Sequence, residues 1–246
     1  MVQPLLSIQH MSTGYGSTKV LHDVTIDVFP GDFIGVIGPN GGGKTTFVKA
    51  ILGLLPVFSG KISFPTGKPK MGYLPQLSQI DRNFPITVKD LVASGIRLKN
   101  RLIPLLKKEE KKKLNTMIHD AGLWNFQNRP IADLSGGQLQ KALLGRALID
   151  NPELLILDEP NTFIDKSFEK DLYQWLEKLN PTMSIILVSH DIGAITPMVK
   201  TIACVNGNLH YHQSNHISAD ILKVYNCPVD LIAHGPVPHR VLKDHE

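Results

Sequence analysis

Gly38-Pro39-Asn40-Gly41-Gly42-Gly43-Lys44-Thr45 is the stretch that decides the fold. It fills the pattern G-x-x-x-x-G-K-[ST] completely, and Thr46 follows it. The glycines let successive backbone N–H groups turn toward one anion, and a helix starting near Thr45 adds its positive end. Lys44 is then placed to bridge two phosphates, and the Thr45 hydroxyl to hold Mg²⁺. The flanking residues supply the context this pattern needs. Phe33-Ile34-Gly35-Val36-Ile37 is a compact apolar run, as in a strand buried on both faces. Thr45–Leu55 carries Phe47, Val48, Ile51 and Leu54 at helical spacing. Strand, glycine loop, helix is the opening of a βαβ unit.

Working outward, Leu5–His10 and Lys19–Phe29 read as strands, the second alternating through Val24, Ile26 and Val28. Pro30-Gly31-Asp32 is a turn. Beyond the loop, Met71–Leu74 is β-like, and from Thr87 to Asp150 the pattern is helical throughout. Helices are expected at Val88–Ser94, Lys107–Ala121 and Gly137–Ile149. Leu154–Leu157 and Ser184–Val188 read as buried strands on either side of a helix at Lys166–Leu179. Thr201–Val205 and Leu209–His212 form a hairpin around Asn206-Gly207-Asn208. The expectation is an α/β framework with an all-helical insert.

The chain has 246 residues and a net charge of +4, with 42% hydrophobic residues, which excludes disordered and fibrous classes. No window reaches the roughly 18–20 apolar residues of a membrane span. Met1–Ser7 has neither a basic nor a long apolar region, so no secretory signal is expected. Two cysteines, Cys204 and Cys227, cannot make a disulfide framework or a four-thiolate zinc site; free thiols in a reducing compartment are expected.

Leu154-Leu155-Ile156-Leu157-Asp158-Glu159 is an apolar strand ending in two carboxylates. Asp158 is placed to hold Mg²⁺ beside the phosphate loop, and Glu159 to polarise an attacking water. Leu134-Ser135-Gly136-Gly137-Gln138 opens a helix: Ser135 is a good N-cap, and the two glycines leave backbone N–H groups bare. A second phosphate-binding helix start makes sense if it serves the nucleotide of another copy.

With this pentapeptide ahead of Asp158, the chain resembles the ATP-binding-cassette ATPases over nearly its whole length. The resemblance implies a P-loop NTPase (RecA-like) α/β core with an N-terminal antiparallel β subdomain and an inserted α-helical signature subdomain. It implies one domain over 1–246, with 1–80 and 151–246 forming the nucleotide-binding part and 81–150 the helical part. Within it, Tyr15 matches the aromatic that stacks on adenine, and Gln76, ending Met71-Gly72-Tyr73-Leu74-Pro75-Gln76, matches the Q-loop glutamine that senses Mg²⁺. Asp165 matches the D-loop aspartate, and His190, in Leu187-Val188-Ser189-His190-Asp191, the switch histidine at the γ-phosphate. Taken singly, Tyr15 also suits core packing and His190 a satisfied buried imidazole. The ATP contacts implied are Tyr15, Gly38–Thr46, Asp165 and, from a second copy, Ser135, Gly136, Gly137 and Gln138. Catalysis falls to Glu159, His190, Lys44 and Gln76, and Mg²⁺ to Thr45, Gln76 and Asp158. Two features depart from the family: Thr162-Phe163-Ile164-Asp165 is bulky for a D-loop, and Leu139-Gln140-Lys141 replaces the usual Gln-Gln-Arg type.

ATP and Mg²⁺ are therefore the expected ligands, in an ATP-dependent head-to-tail homodimer. The resemblance implies a cytoplasmic ATPase peripheral on the inner face of the membrane. Its partners would be an integral membrane permease, docked near Gln76 and 81–90, and indirectly an extracytoplasmic solute-binding protein. Asp81-Arg82-Asn83-Phe84-Pro85-Ile86-Thr87-Val88 is similar to a segment of the importer ATPases for zinc, manganese and related metals. The alternative is a soluble cassette ATPase without transport, for example in iron–sulfur cluster assembly. His210, His212, His216, His234, His239 and His245 suit either metal regulation or plain solvent exposure. Lys107–Lys113 interleaves acids at helical spacing, as a solvated face does, and no nucleic acid partner is expected.

Overall fold

The computed structural model describes residues 2–97, 106–161, 166–215, 231–233 and 238–240. It divides into two units: Met1–Lys68 with Ser184–Glu246, and Pro69–Met183. The first unit opens with β1 (Leu6–Tyr15), β2 (Thr18–Val28), β3 (Phe33–Ile37), α1 (Lys44–Ile51) and β4 (Val57–Ser63). The second holds β5 (Met71–Leu74), α2 (Val88–Ala93), α3 (Lys108–Asp120), α4 (Gly136–Leu148), β6 (Leu154–Asp158) and α5 (Lys166–Leu179). The chain then returns to the first unit with β7 (Ser184–Val188), α6 (Ile192–Ile195), β8 (Thr201–Asn206), β9 (Asn208–His212), β10 (Leu231–Ala233) and β11 (Pro238–Arg240).

In the first unit, β3 pairs in parallel with β7 on one side and β8 on the other, and β9 closes back antiparallel on β8. All five residues of Phe33–Ile37 are buried, as in a parallel strand covered on both faces, which is why the run shows no alternation. A separate antiparallel sheet has the order β2-β1-β4. The apolar pattern ends the first strand at His10, but β1 continues to Tyr15 through a bulge. Its register against β2 slips between Ile8 and Met11, and His10 and Asp23 adopt φ 50° and 49°. The His10 Nδ1 to Asp23 Oδ1 separation is 2.6 Å across that irregularity. Gly60 in β4 faces it at φ 74°, where a Cβ would lie 2.2 Å from the His10 carbonyl oxygen. β4 shows no period-2 pattern because its first five residues are exposed. Helix α1 stops at Ile51 rather than Leu55 because Leu52 caps it and Gly53 turns away at φ 75°.

In the second unit, β5 and β6 pair in parallel from Met71↔Leu154 to Leu74↔Leu157. Helix α2 is capped by Thr87, whose hydroxyl accepts from Asp90 N–H, and α3 starts within one residue of the sequence reading. Leu114 and Ile118 are its buried positions, and Lys107, Lys108, Lys111 and Lys112 are exposed, so the lysine run is a solvated face. The end of α4 is gripped by two glycines. A Cβ on Gly72 would sit 2.3 Å from the Ala147 carbonyl oxygen, and one on Gly95 2.0 Å from that of Arg146. Backbone bonds from Val88 to Arg129 (3.0 Å), Lys89 to Gln127 (2.9 Å) and Ile131 to Ile86 (3.0 Å) zip the strip 86–89 to 127–131. Among the described residues, no helix is long and apolar enough to cross a membrane.

Candidate functional site

The glycine loop is shaped by backbone crowding. Gly38 (φ 152°), Gly41 (φ 78°) and Gly43 (φ 102°) all take conformations that side chains disfavour. At Gly38 an added Cβ would lie 2.0 Å from the carbonyl oxygen of Val205, and at Gly42 2.8 Å from the same atom. Gly207 N–H, in the β8–β9 turn, donates to the Gly42 carbonyl at 3.0 Å, so the hairpin and the loop are bonded directly. Lys44 is 6% exposed, and its ammonium donates to the carbonyls of Gly38 (2.9 Å) and Pro39 (3.0 Å). A buried cation ringed by backbone is costly unless satisfied, and these carbonyls hold it at the centre of the turn. Thr46 is buried, Thr45 half-buried, and Asn40 and Gly41 are exposed at the loop's rim.

Tyr15 ends β1 and is 46% exposed, and Lys49 Nζ stands 5.7 Å from its ring centroid. The core-packing reading of Tyr15 is thereby set aside. His190 is likewise exposed, one residue after the buried Ser189, whose hydroxyl accepts from Asp191 N–H at 2.9 Å. Asp191 in turn caps α6 by accepting from Ala194 N–H at 3.1 Å. These bonds fix the turn that presents the imidazole.

The second unit carries the acidic pair and the other glycine start. Asp158 ends β6 fully buried. Glu159 follows at φ 49°, a left-handed conformation costing a non-glycine residue roughly 1–2 kcal/mol. That turn ends the strand, and Glu159 is half-exposed where Asp158 is buried. Sequence alone gives no sign of this strain, which is the kind found at reactive sites. Gln76 is half-buried after β5, at the N-cap of a short turn over Leu77–Gln79.

Ser135 is exposed at the N-cap of α4, and its hydroxyl accepts from Gln138 N–H at 3.3 Å. Gln138 Oε1 returns the bond, accepting from Ser135 N–H at 3.0 Å. This reciprocal capping box leaves Gly136 and Gly137 at the helix start without side chains. Gln138 therefore has a local task that the sequence reading missed, although Ser-x-x-Gln is its signal. The Leu134 carbonyl accepts from the Arg82 guanidinium. Asp165, Phe163, His216, His234 and His245, with Cys227, lie outside the described residues. Cys204 is buried. His210 is exposed; burial, then the charge of His210, push the His212 imidazole below its usual pKa.

A glycine loop around a buried lysine, with a buried aspartate and a strained glutamate ending an apolar strand, defines an ATP-hydrolysing protein of the P-loop class. The chain belongs to the ABC transporter family, whose profile matches residues 21–162. It is 37% identical over 210 residues to a protein of Thermotoga maritima named "Probable metal transport system ATP-binding protein", covering 85% of this chain and 84% of that one. It is 34% identical to the zinc uptake system ATP-binding protein ZurA of Listeria monocytogenes, covering 89% and 91%. Its fold matches a solved ABC transporter of metal-chelate type in an inward-facing conformation, with TM-score 0.82 at 22% identity and 97% of each chain covered. The P-loop core with an antiparallel β-sheet and a helical segment is thus the fold of this chain, as expected.

Proposed function

We propose that this chain is the ATP-hydrolysing subunit of an importer for divalent metal ions (zinc, manganese or iron), acting through a separate membrane permease. The observation that supports it most is kinship along nearly the whole chain to a subunit named for zinc uptake, with 91% of that relative covered.

The residues fit Mg-ATP. Thr45, Gln76 and Asp158 offer a hydroxyl, an amide carbonyl and a carboxylate, the hard oxygen donors Mg²⁺ takes. When bound there, Mg²⁺ neutralises phosphate oxygens. Gly38–Thr46 wraps the phosphates, with the Lys44 ammonium turned from its loop carbonyls to the β- and γ-phosphates. Tyr15 stacks on the base, Glu159 takes a proton from the attacking water, and His190 and Gln76 contact the γ-phosphate side. Ser135, Gly136, Gly137 and Gln138 of a second copy, with Asp165, complete the site across a two-fold dimer. Loss of the γ-phosphate removes that contact, so ATP closes the dimer and hydrolysis opens it.

Residues 1–80 and 151–246 serve as the nucleotide part, and 81–150 as the helical part that carries Ser135. The permease docks near Gln76 and 81–90, where Phe84 is 59% exposed. The chain then works at the inner face of the membrane, with a solute-binding protein outside. A deletion strain tests the reading: its growth should fail under zinc, manganese or iron limitation and recover when the metal is added. Normal growth and metal content in that strain would overturn metal import. Purification with a soluble partner instead of a polytopic one would favour the non-transport alternative.

A further inference from the structure

The peptide unit joining Leu134 to Ser135 is held at both ends. Its carbonyl accepts from the Arg82 guanidinium, and its N–H donates to Gln138 Oε1 at 3.0 Å. A peptide plane is rigid, so two side-chain bonds on opposite edges fix its rotation, and with it where Ser135 and the N–H groups of Gly136 and Gly137 face. One of those side chains belongs to α4 itself. The other comes from a different segment, 52 residues earlier.

That segment is a tight turn. Asn83 N–H donates to the Asp81 carboxylate at 2.9 Å and Phe84 N–H to the Asp81 carbonyl at 3.3 Å, so residues 81–84 move together. One end presents the exposed ring of Phe84. The other sends Arg82 to Leu134. The backbone zipper between 86–89 and 127–131 lies just behind and keeps the two segments side by side. Arg82 is thus the side chain that joins the outward-facing turn to the first peptide of the signature helix.

We propose that Arg82 is a positioning residue: through the Leu134 carbonyl it sets the Ser135–Gly137 helix start for the nucleotide of the opposite protomer, and it carries displacement of the 81–84 turn to that start. The inference rests on the dimer reading above. Arg82 touches neither nucleotide nor water in this role; it acts through one carbonyl. Its charge-assisted bond is stronger than a neutral one and needs a donor of guanidinium reach, which lysine meets in part.

The test uses the full-length chain in a Glu159→Gln background, with Arg82→Ala, Arg82→Lys and Gln138→Ala introduced singly and Arg82→Ala/Gln138→Ala together. Binding of a fluorescent ATP analogue at protein concentrations below self-association reads the Lys44 loop of one protomer. Sedimentation in Mg-ATP reads dimerisation. Arg82→Ala is expected to leave nucleotide affinity within about twofold while weakening the ATP-dependent dimer about tenfold, and Arg82→Lys to restore part of the loss. The double variant is expected to lose less than the product of the single effects, because both residues hold one peptide. A dimer of unchanged affinity in Arg82→Ala overturns the proposal. So does a loss of nucleotide binding equal to the loss of dimerisation, which is what general destabilisation produces. If the Arg82-intact protein forms no ATP-dependent dimer, the dimer reading itself fails, and that result is separate from either.

Discussion

Gly38→Ala, compared with Gly41→Ala, tests whether the phosphate loop is shaped by the neighbouring strand or only by its own glycines. Both positions have positive φ, 152° and 78°, so both alanines carry backbone strain, roughly 1–3 kcal/mol each. At Gly41 nothing lies within 4 Å of an added Cβ, and the strain is the whole effect. At Gly38 the Val205 carbonyl oxygen lies 2.0 Å away. It cannot rotate aside as a side chain can, so loop and β8 must part, costing roughly 1–3 kcal/mol more. A chain of this size shifts its melting temperature by about 2–4 °C per kcal/mol. Gly38→Ala should therefore melt about 4–24 °C lower than the parent, and Gly41→Ala about 2–12 °C lower. Binding of a fluorescent ATP analogue should weaken more in Gly38→Ala, since movement away from Val205 turns the loop N–H groups off their common focus. Thermal melting and equilibrium titration of the purified full chain measure both. Equal melting temperatures and equal affinities for the two variants would refute the view that Val205 moulds the loop.

Three further outcomes follow from the same geometry. Glu159→Gln should bind ATP normally and lose on the order of 10²-fold or more in turnover, whereas Glu159→Gly, equally inactive, should melt higher by relief of the left-handed strain; turnover assays and melting curves check both. Ser135→Ala removes the acceptor for Gln138 N–H and should cost about 1 kcal/mol in urea unfolding, with ATP-dependent dimerisation weakened as well. The His212 pKa is lowered in the folded chain, so below about pH 6.5 the unfolded chain binds more protons and stability falls as pH drops through that window. His212→Gln should flatten that part of the urea-midpoint profile between pH 7.5 and 5, and an unchanged slope would show that another group is responsible.

The sequence announces the elements whose patterns are uninterrupted. Phe33–Ile37, Leu154–Leu157 and Ile185–Val188 are unbroken apolar runs, each residue is buried, and their strands lie where the runs do. The helices after Thr87 follow their caps, Thr87 and Ser135. Where the pattern is interrupted, the reading falls short. β1 continues past His10 because two residues with positive φ on paired strands absorb the irregularity. β4 hides because Gly60 sits in its middle and its first five residues are exposed. At the site, residue types and spacing mark every candidate, but not how each is held. The φ of Glu159, the carbonyls around Lys44 and the Arg82 bond to Leu134 depend on residues distant in sequence or on backbone shape, neither of which a local pattern encodes. Gln138 is the exception, since its capping signal was legible and was assigned to nucleotide alone.

The pairing of β3 bears on how the protein is made. Its partners Ile185 and Thr201 leave the ribosome about 150 and 170 residues after Phe33, a delay of roughly 8–34 s at ordinary rates of synthesis. Pro69–Met183 is one uninterrupted stretch and can be complete by then. The strand that leads into the phosphate loop thus waits through translation for both its neighbours, and a nascent chain stalled before Ser184 would expose Phe33–Ile37 to chaperones.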